Sequence, residues 1–354
     1  LKVTACADYN APSLPTGLPP PSSVRLLRYL LVALIALAAA LAVWFYQWAN
    51  SPVALRTAPV EFRILPGTGL RGIATQAVEA GIETDPRLLV ALGRLLGAEK
   101  TIKAGSYALN AGITPLLLVR KLTAGDVSQG EIKLLEGWTF RQWREKLDAH
   151  PDLRHDSREL SEADILRRLG LPHERAEGLF FPDTYLFDKH SSDLELLARA
   201  ARGLQRRLDL EWNQRAAGLP YQTPYQALIM ASIVEKETGR DADRSLVSAV
   251  FANRLRIGML LQTDPTVIYG LGERFDGNLR KRDLLADTPY NTYTRAGLPP
   301  TPIAMPSVAS LRAAMNPASS DVLYFVARGD GSSQFSRTLE EHNRAVNRYQ
   351  RGIK

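Results

Sequence analysis

Two glutamates, Glu235 and Glu237, follow the segment Tyr225–Val234, which is apolar on nearly every helical face. Such a run reads as a buried helix. Carboxylates at its end are not what core packing asks for. Burial disfavours the charged form of a carboxyl and raises its pKa, and a raised pKa is what a general acid near neutral pH requires. Residues two apart on a helix point about 200° apart, so one cleft can receive only one of the pair. Glu237 lies over Ile233 and Met230, whereas Glu235 lies over Ala231 and Leu228 with Ser232 beside it. The bulkier apolar stripe favours Glu237 as the acid. Glu235 is the fallback, as a second carboxylate or as a cap for backbone groups elsewhere.

Downstream segments offer the material of a saccharide cleft. Gln262, Thr263 and Asp264 form one polar stretch, and Tyr290, Asn291, Thr292 and Tyr293 form another. Aromatic faces suit the C–H side of a sugar ring, and amides and hydroxyls suit its hydroxyl groups. These seven residues are the candidate substrate contacts, with Asp264 the obvious second carboxylate. Gly297–Ile303, with its three prolines, reads as a rigid loop beside them.

Other chemistries lack their residues. Cys6 is the one cysteine, so the chain holds no internal disulfide, and the five histidines are scattered without zinc-ligand spacing. No metal and no cofactor are expected. The net charge of +7 is spread along the chain, with no basic arm and no aromatic interleaving. Nucleic acid is therefore not expected as a partner, whereas an anionic membrane or polymer suits the surface.

Positioning these residues requires an anchor and two folded parts. Leu30–Tyr46 is an unbroken uncharged run which, with its flanks, nears the roughly 20 residues that span hydrocarbon. Arg25 and Arg28 precede it, Trp44, Tyr46 and Trp48 mark its far end, and no positive charge follows until Arg56. The charge bias predicts a cytoplasmic N-terminus. A signal peptide would carry a shorter apolar stretch ending in small residues, so an uncleaved anchor is expected. Val53–Ala58 reads as a linker. Strands are predicted at Val60–Leu65 and Lys103–Leu109, with helices at Leu70–Ala80, Pro86–Leu96 and Pro115–Ala124, and a further strand at Glu131–Leu135. The strand–helix–helix–strand order resembles a LysM-like module. Beyond it come mainly helices: Trp138–His150, Ser161–Leu169, Leu194–Leu210, Pro224–Thr238, Ser245–Arg256, Val308–Met315 and Leu339–Tyr349. Val322–Ala327 and Ser333–Phe335 read as a hairpin. The predicted fold is α+β: a disordered tail over 1–23, a transmembrane helix over 24–48, a LysM-like subdomain over 58–130 and a larger, mainly helical catalytic domain over 131–354.

A series of motifs in one order resembles the YceG-like family of endolytic murein transglycosylases. They are Lys103-Ala-Gly-Ser-Tyr107, Glu136-Gly137, Glu177-Gly-Leu-Phe-Phe-Pro-Asp-Thr-Tyr185, Ala231-Ser-Ile-Val-Glu-Lys-Glu-Thr238, Val250-Phe-Ala-Asn-Arg-Leu-Arg256, Leu261-Gln-Thr-Asp-Pro-Thr-Val-Ile-Tyr-Gly270, Tyr290-Asn-Thr-Tyr293, Gly297-Leu-Pro-Pro300, Tyr324-Phe-Val-Ala327 and His342-Asn343. The resemblance implies a bacterial inner-membrane enzyme whose periplasmic part cuts nascent peptidoglycan glycan strands, leaving 1,6-anhydro-N-acetylmuramic acid ends. It matches the family's catalytic glutamate to Glu237, and it implies contact with peptidoglycan synthases, the penicillin-binding proteins. The competing expectations are a hydrolytic muramidase, with Asp264 or Glu235 assisting, and a non-catalytic peptidoglycan-binding scaffold.

Overall fold

A computed structural model of the chain describes residues 22–352. The expected disordered tail lies outside them, apart from Ser22 and Ser23, which open the first helix. The chain divides into two compact units that meet in sequence at Asp126 and Val127.

In the first unit, α1 (Ser22–Asn50) contains a 25-residue stretch, Leu26–Asn50, long and apolar enough to cross a membrane. No free linker follows, contrary to expectation. The Val53 N–H donates to the carbonyl of Ile113 at 2.9 Å, and β1 (Ala54–Leu55) pairs antiparallel with β3 (Ile82–Glu83). The pairing is only two residues long, and the chain it meets is what makes the segment a strand. Between and beyond them lie β2 (Val60–Ile64), α2 (Leu70–Glu79), α3 (Pro86–Leu95), β4 (Gly105–Leu109) and α4 (Pro115–Ala124). Val60, Phe62 and Ile64 alternate inward, and β2 pairs antiparallel with β4 from Val60 opposite Leu109 to Ile64 opposite Gly105. The predicted strands and helices are present in order, with the two-residue β3 added between α2 and α3, and β2 and β4 lie side by side. Asp85 and Thr114 cap α3 and α4, each followed by a proline in the first turn, where a missing N–H costs nothing.

The second unit opens with β5 (Gln129–Leu134), which pairs antiparallel with β7 (Asp183–Asp188) along six residues. Tyr185 and Phe187 alternate inward on β7, a strand not anticipated. Between them come α5 (Phe140–Asp148), β6 (Leu153–Arg154) and α6 (Glu162–Leu169). Helix α5 starts later than predicted. Thr139 caps it with Gln142; before the cap, the Trp138 carbonyl accepts from the Met305 N–H and the Gly137 N–H donates to the Met305 carbonyl, each at 2.8 Å. The short β8 (Ser191–Ser192) leads into α7 (Asp193–Asn213), then α8 (Pro224–Glu237) and α9 (Asp241–Arg256). Next come α10 (Asp264–Leu271) and α11 (Lys281–Leu285), then α12 (Val308–Met315), the hairpin β9 (Tyr324–Ala327) and β10 (Ser333–Ser336), and α13 (Leu339–Tyr349).

Helix α8 is the axis of this unit. Every residue from Ala227 to Val234 is buried, and α7, α9, α10 and α12 all pack on it. A helix surrounded on all sides needs no amphipathic stripe, which is why its apolar residues show no helical period. The same core takes in Trp143 and Phe180, both fully buried. Among the described residues every sheet has two strands, so the fold is mixed α and β with helices dominant.

Candidate active site

The two glutamates at the end of α8 go to different partners. Glu235 Oε2 accepts from the backbone N–H of Ser307 at 2.9 Å and from its hydroxyl at 2.6 Å. Ser307 is itself the N-cap of α12, accepting from the Ser310 N–H at 3.1 Å. One turn earlier, Ser232 Oγ accepts from the Ile303 N–H at 3.0 Å. Residues 303–307 are thus pinned along α8, and Glu235 belongs to that seam.

Glu237 faces the other way, toward the start of α10. Its carboxylate accepts from the Thr263 hydroxyl. Burial pushes the Glu237 carboxyl above its ordinary value; the Thr263 hydroxyl pulls it down, the nearby Asp264 carboxylate pushes it further up and the Arg254 guanidinium draws it down. The balance favours the protonated form.

Thr263 is held by a small hydroxyl network. Its N–H donates to Thr292 Oγ1 at 3.1 Å, and Thr266 Oγ1 lies 2.9 Å from the same hydroxyl. Gln262 adopts a left-handed φ of 48° and donates its N–H to the Thr292 carbonyl at 3.1 Å. A non-glycine residue in that region stores strain, and such strain clusters at functional sites. Asp264 accepts from the Tyr293 hydroxyl at 2.5 Å.

The candidate contacts therefore divide. Glu237, Thr263, Asp264 and Tyr293 come together, and the Gln262 side chain is exposed beside them. Asn291 is 0% exposed: its Nδ2 donates to the carbonyls of Leu284 and Ala286, and its Oδ1 accepts from the Tyr293 N–H. Asn291, Thr292 and Thr263 are buried and shape the loop from behind, rather than lining an open cleft. Tyr290 turns to Thr301, 2.9 Å between hydroxyls, and sets its ring against that of Tyr269. The proline loop does not wall the glutamate either. Leu298, Pro299 and Pro300 line a cavity of about 510 Å³ with Tyr225, Gln226 and Ile229. That cavity lies toward the other end of α8, about 12–18 Å away at the helical rise per residue.

Three residues outside the candidate set matter here. Arg254 is 8% exposed. It donates through Nε to the Leu323 carbonyl at 2.7 Å and through Nη1 to the Leu261 carbonyl at 2.8 Å, with its guanidinium over the Tyr324 ring. His342 stacks on the same Tyr324 ring, 5.2 Å between centroids. Arg254 thus ties the hairpin to the residues just before Gln262 and supplies the cation that Glu237 feels. Glu177 is buried against the N-terminus of α5 and hydrogen-bonds Tyr269 on α10. Glu136, pushed up by burial and by the Glu235 carboxylate, borders the same end of α8, where Lys236 Nζ donates to the Gly137 carbonyl. All three sit in the motifs quoted above, but their local spacing does not mark them: Glu177 meets Phe140 37 residues away, Arg254 meets Leu323 69 residues away, and Glu136 meets the end of α8.

Asp148, His155 and Asp193 bring possible metal-ligand atoms near one another, well apart in sequence from this site. Asp193 is already engaged by the N–H and hydroxyl of Ser157, and Asp148 faces Arg158.

Residues 62–348 match the family described as the YceG-like family. The endolytic murein transglycosylase of Bacillus subtilis is 34% identical over 266 residues, which cover 70% of this chain and 73% of that protein. The protein of the same name from Streptococcus pneumoniae R6 is 29% identical over 279 residues, and the match spans half of its length. A crystal structure of a YceG-like protein from Listeria monocytogenes aligns with a TM-score of 0.51 at 28% identity, over 80% of this chain and 98% of that one. With a match that runs from β2 into α13, this chain belongs to the YceG-like family.

Proposed function

We propose that the chain is an endolytic peptidoglycan lytic transglycosylase with Glu237 as its acid and base. The observation that carries this is the Glu237 carboxyl itself: delivered by a helix buried from Ala227 to Val234, pushed toward the protonated form, and flanked by Thr263 and Arg254. Glu237 donates its proton to the glycosidic oxygen between N-acetylmuramic acid and N-acetylglucosamine, and that C–O bond breaks through an oxocarbenium-like state. The ionised Glu237 then takes the proton of the muramoyl C6 hydroxyl, whose oxygen closes onto C1. One bond breaks, one forms and the glutamate ends protonated, so neither water nor a second carboxylate is consumed. The names of the B. subtilis and S. pneumoniae relatives support the same substrate and reaction.

The test is the mass of the products from intact glycan strands. Anhydro ends are expected. Ends heavier by one water would make the enzyme a muramidase, and no cleavage would leave the binding-scaffold reading.

Arg254 gives a second, kinetic prediction. A cation favours the carboxylate form of Glu237, so Arg254→Gln raises the proton affinity of the acid. The acid form then survives to higher pH, and the alkaline limb of the kcat/KM profile is expected to move up. Arg254→Lys, which keeps the charge, is expected to move it less. Identical limbs in all three proteins would separate Arg254 from the acid's titration.

Helix α1 serves as a single-pass anchor with a cytoplasmic N-terminus, supported by its length and by Arg25 and Arg28 before it. The inner membrane then holds the enzyme with its second unit in the periplasm. The strand–helix–helix–strand unit is LysM-like and binds glycan, supported by its element order and antiparallel strand pair. Contact with penicillin-binding synthases follows from the family resemblance.

A further inference from the structure

Helix α1 does not leave the small unit on a tether. Its last turns are part of that unit's core: Ala49 is buried with Leu92, Ala98 and Val119, and Phe45, Trp48 and Ile102 pack on them. The helix end is closed by its own neighbours. Asn50 Nδ2 donates to the Tyr46 carbonyl at 2.8 Å and Ser51 Oγ to the Gln47 carbonyl at 2.7 Å. Three residues after Asn50, Val53 is hydrogen-bonded into the unit.

The depth of that junction follows from helix geometry. Arg28 is the last charge before the apolar run and Arg56 the next one after it. A hydrocarbon layer of about 30 Å takes roughly 20 residues at the helical rise. Counted from Arg28, its far boundary falls at Trp48, where Trp44, Tyr46 and Trp48 supply the aromatic belt of an interface. Phe45, Trp48 and Ala49 are therefore at the lipid boundary and inside a protein core together. Both hold only if the residues that pack on them are at that boundary too.

Two leucines continue from this junction. Leu95 and Leu96 end α3 within one turn of Leu92, and they are 75% and 45% exposed. On α4, Leu117 is exposed two residues before Val119. We propose that the strand–helix–helix–strand unit lies on the bilayer surface, with Leu95 and Leu96 in contact with lipid. This rests on the reading of α1 as a membrane span. The contact adds a second foothold to the span and fixes the height of the unit above the lipid.

Nitroxide labelling of the full chain in nanodiscs of phosphatidylethanolamine and phosphatidylglycerol tests it, with Cys6→Ser as the background. Labels go on Leu96→Cys and, as an independent site, Leu95→Cys. Leu37→Cys in mid-span and Leu285→Cys in the second unit are the references; Leu285 is 68% exposed. The ratio of collisions with dissolved oxygen to collisions with a water-soluble nickel chelate is expected to be several-fold higher at 96 than at 285. Equal ratios at 95, 96 and 285, with a lipid-like ratio at 37, would overturn the surface contact and leave the anchor standing. A water-like ratio at 37 would overturn the anchor and the contact with it.

Discussion

Glu237→Gln is expected to lower the rate of glycan cleavage by roughly 10²–10⁴-fold, the usual contribution of general acid–base catalysis, while the fold is retained. The amide has nearly the size of the carboxylic acid and its oxygen can still accept from Thr263, so the contact in the structure survives. What is lost is the proton, which is needed twice: once to leave with the glycosidic oxygen and once to be recovered from the C6 hydroxyl. Glu235→Gln is expected to behave differently. It weakens the acceptor for the Ser307 N–H and hydroxyl and so loosens the start of α12, which reads out as a lower unfolding midpoint more than as a lost rate. Release of anhydro ends from purified glycan and thermal unfolding, measured on both variants, separate the roles. An active Glu237→Gln beside an inactive, folded Glu235→Gln would reverse them.

The second large effect concerns Glu177, which is 4% exposed. Its two oxygens accept from the Phe140 N–H at 3.0 and 3.1 Å, where the N-terminus of α5 favours negative charge. Burial nevertheless dominates and pushes the carboxyl from 4.5 up to about 7. A carboxyl with a raised folded-state pKa holds a proton that the unfolded chain has already released. Stability therefore falls as pH rises from about 4.5 to about 7, and the loss is complete above that. The size is of order 3 kcal/mol. Glu177→Gln cannot titrate, so the stability difference between wild type and variant is expected to shift by about that amount across this window, in favour of the variant at higher pH. Urea midpoints between pH 4.5 and 7.5 measure it, and a difference that stays constant with pH would rule out the shift. The site is tightly built. Gly178 has a φ of 77°, and a Cβ there would meet the Pro302 ring at 2.4 Å. Glu177 thus joins α5, α10 and the chain that runs on to Ser307, and its protonation bears on the frame around the acid.

Several elements were legible because their signals are local. The helices Pro115–Ala124 and Glu162–Leu169, the alternation in Val60–Ile64, and the hairpin around Gly329 and Gly331 are each decided by a few neighbouring residues. Elements defined by distant partners were not. Ala54–Leu55 is a strand only through Ile82–Glu83. The same division runs through the site. Helix periodicity separates Glu235 from Glu237 from sequence alone, since 100° per residue is a property of the backbone. That Asn291 spends its amide on the Leu284 and Ala286 carbonyls depends on how its own loop folds back, and that Arg254 looks at Glu237 depends on how α9 packs on α8.

What the residues decided alone was therefore the chemistry on offer: an apolar segment ending in two carboxylates on opposite faces, an apolar run of membrane length, and no metal-ligand or disulfide spacing. The tertiary structure decided what each carboxylate meets. It seats Glu235 against Ser307 and brings Thr263, Asp264 and Arg254 to Glu237. The physical reason is that proton affinity is set by burial and by charges close in space, and sequence neighbours of a buried helix end contribute little to either.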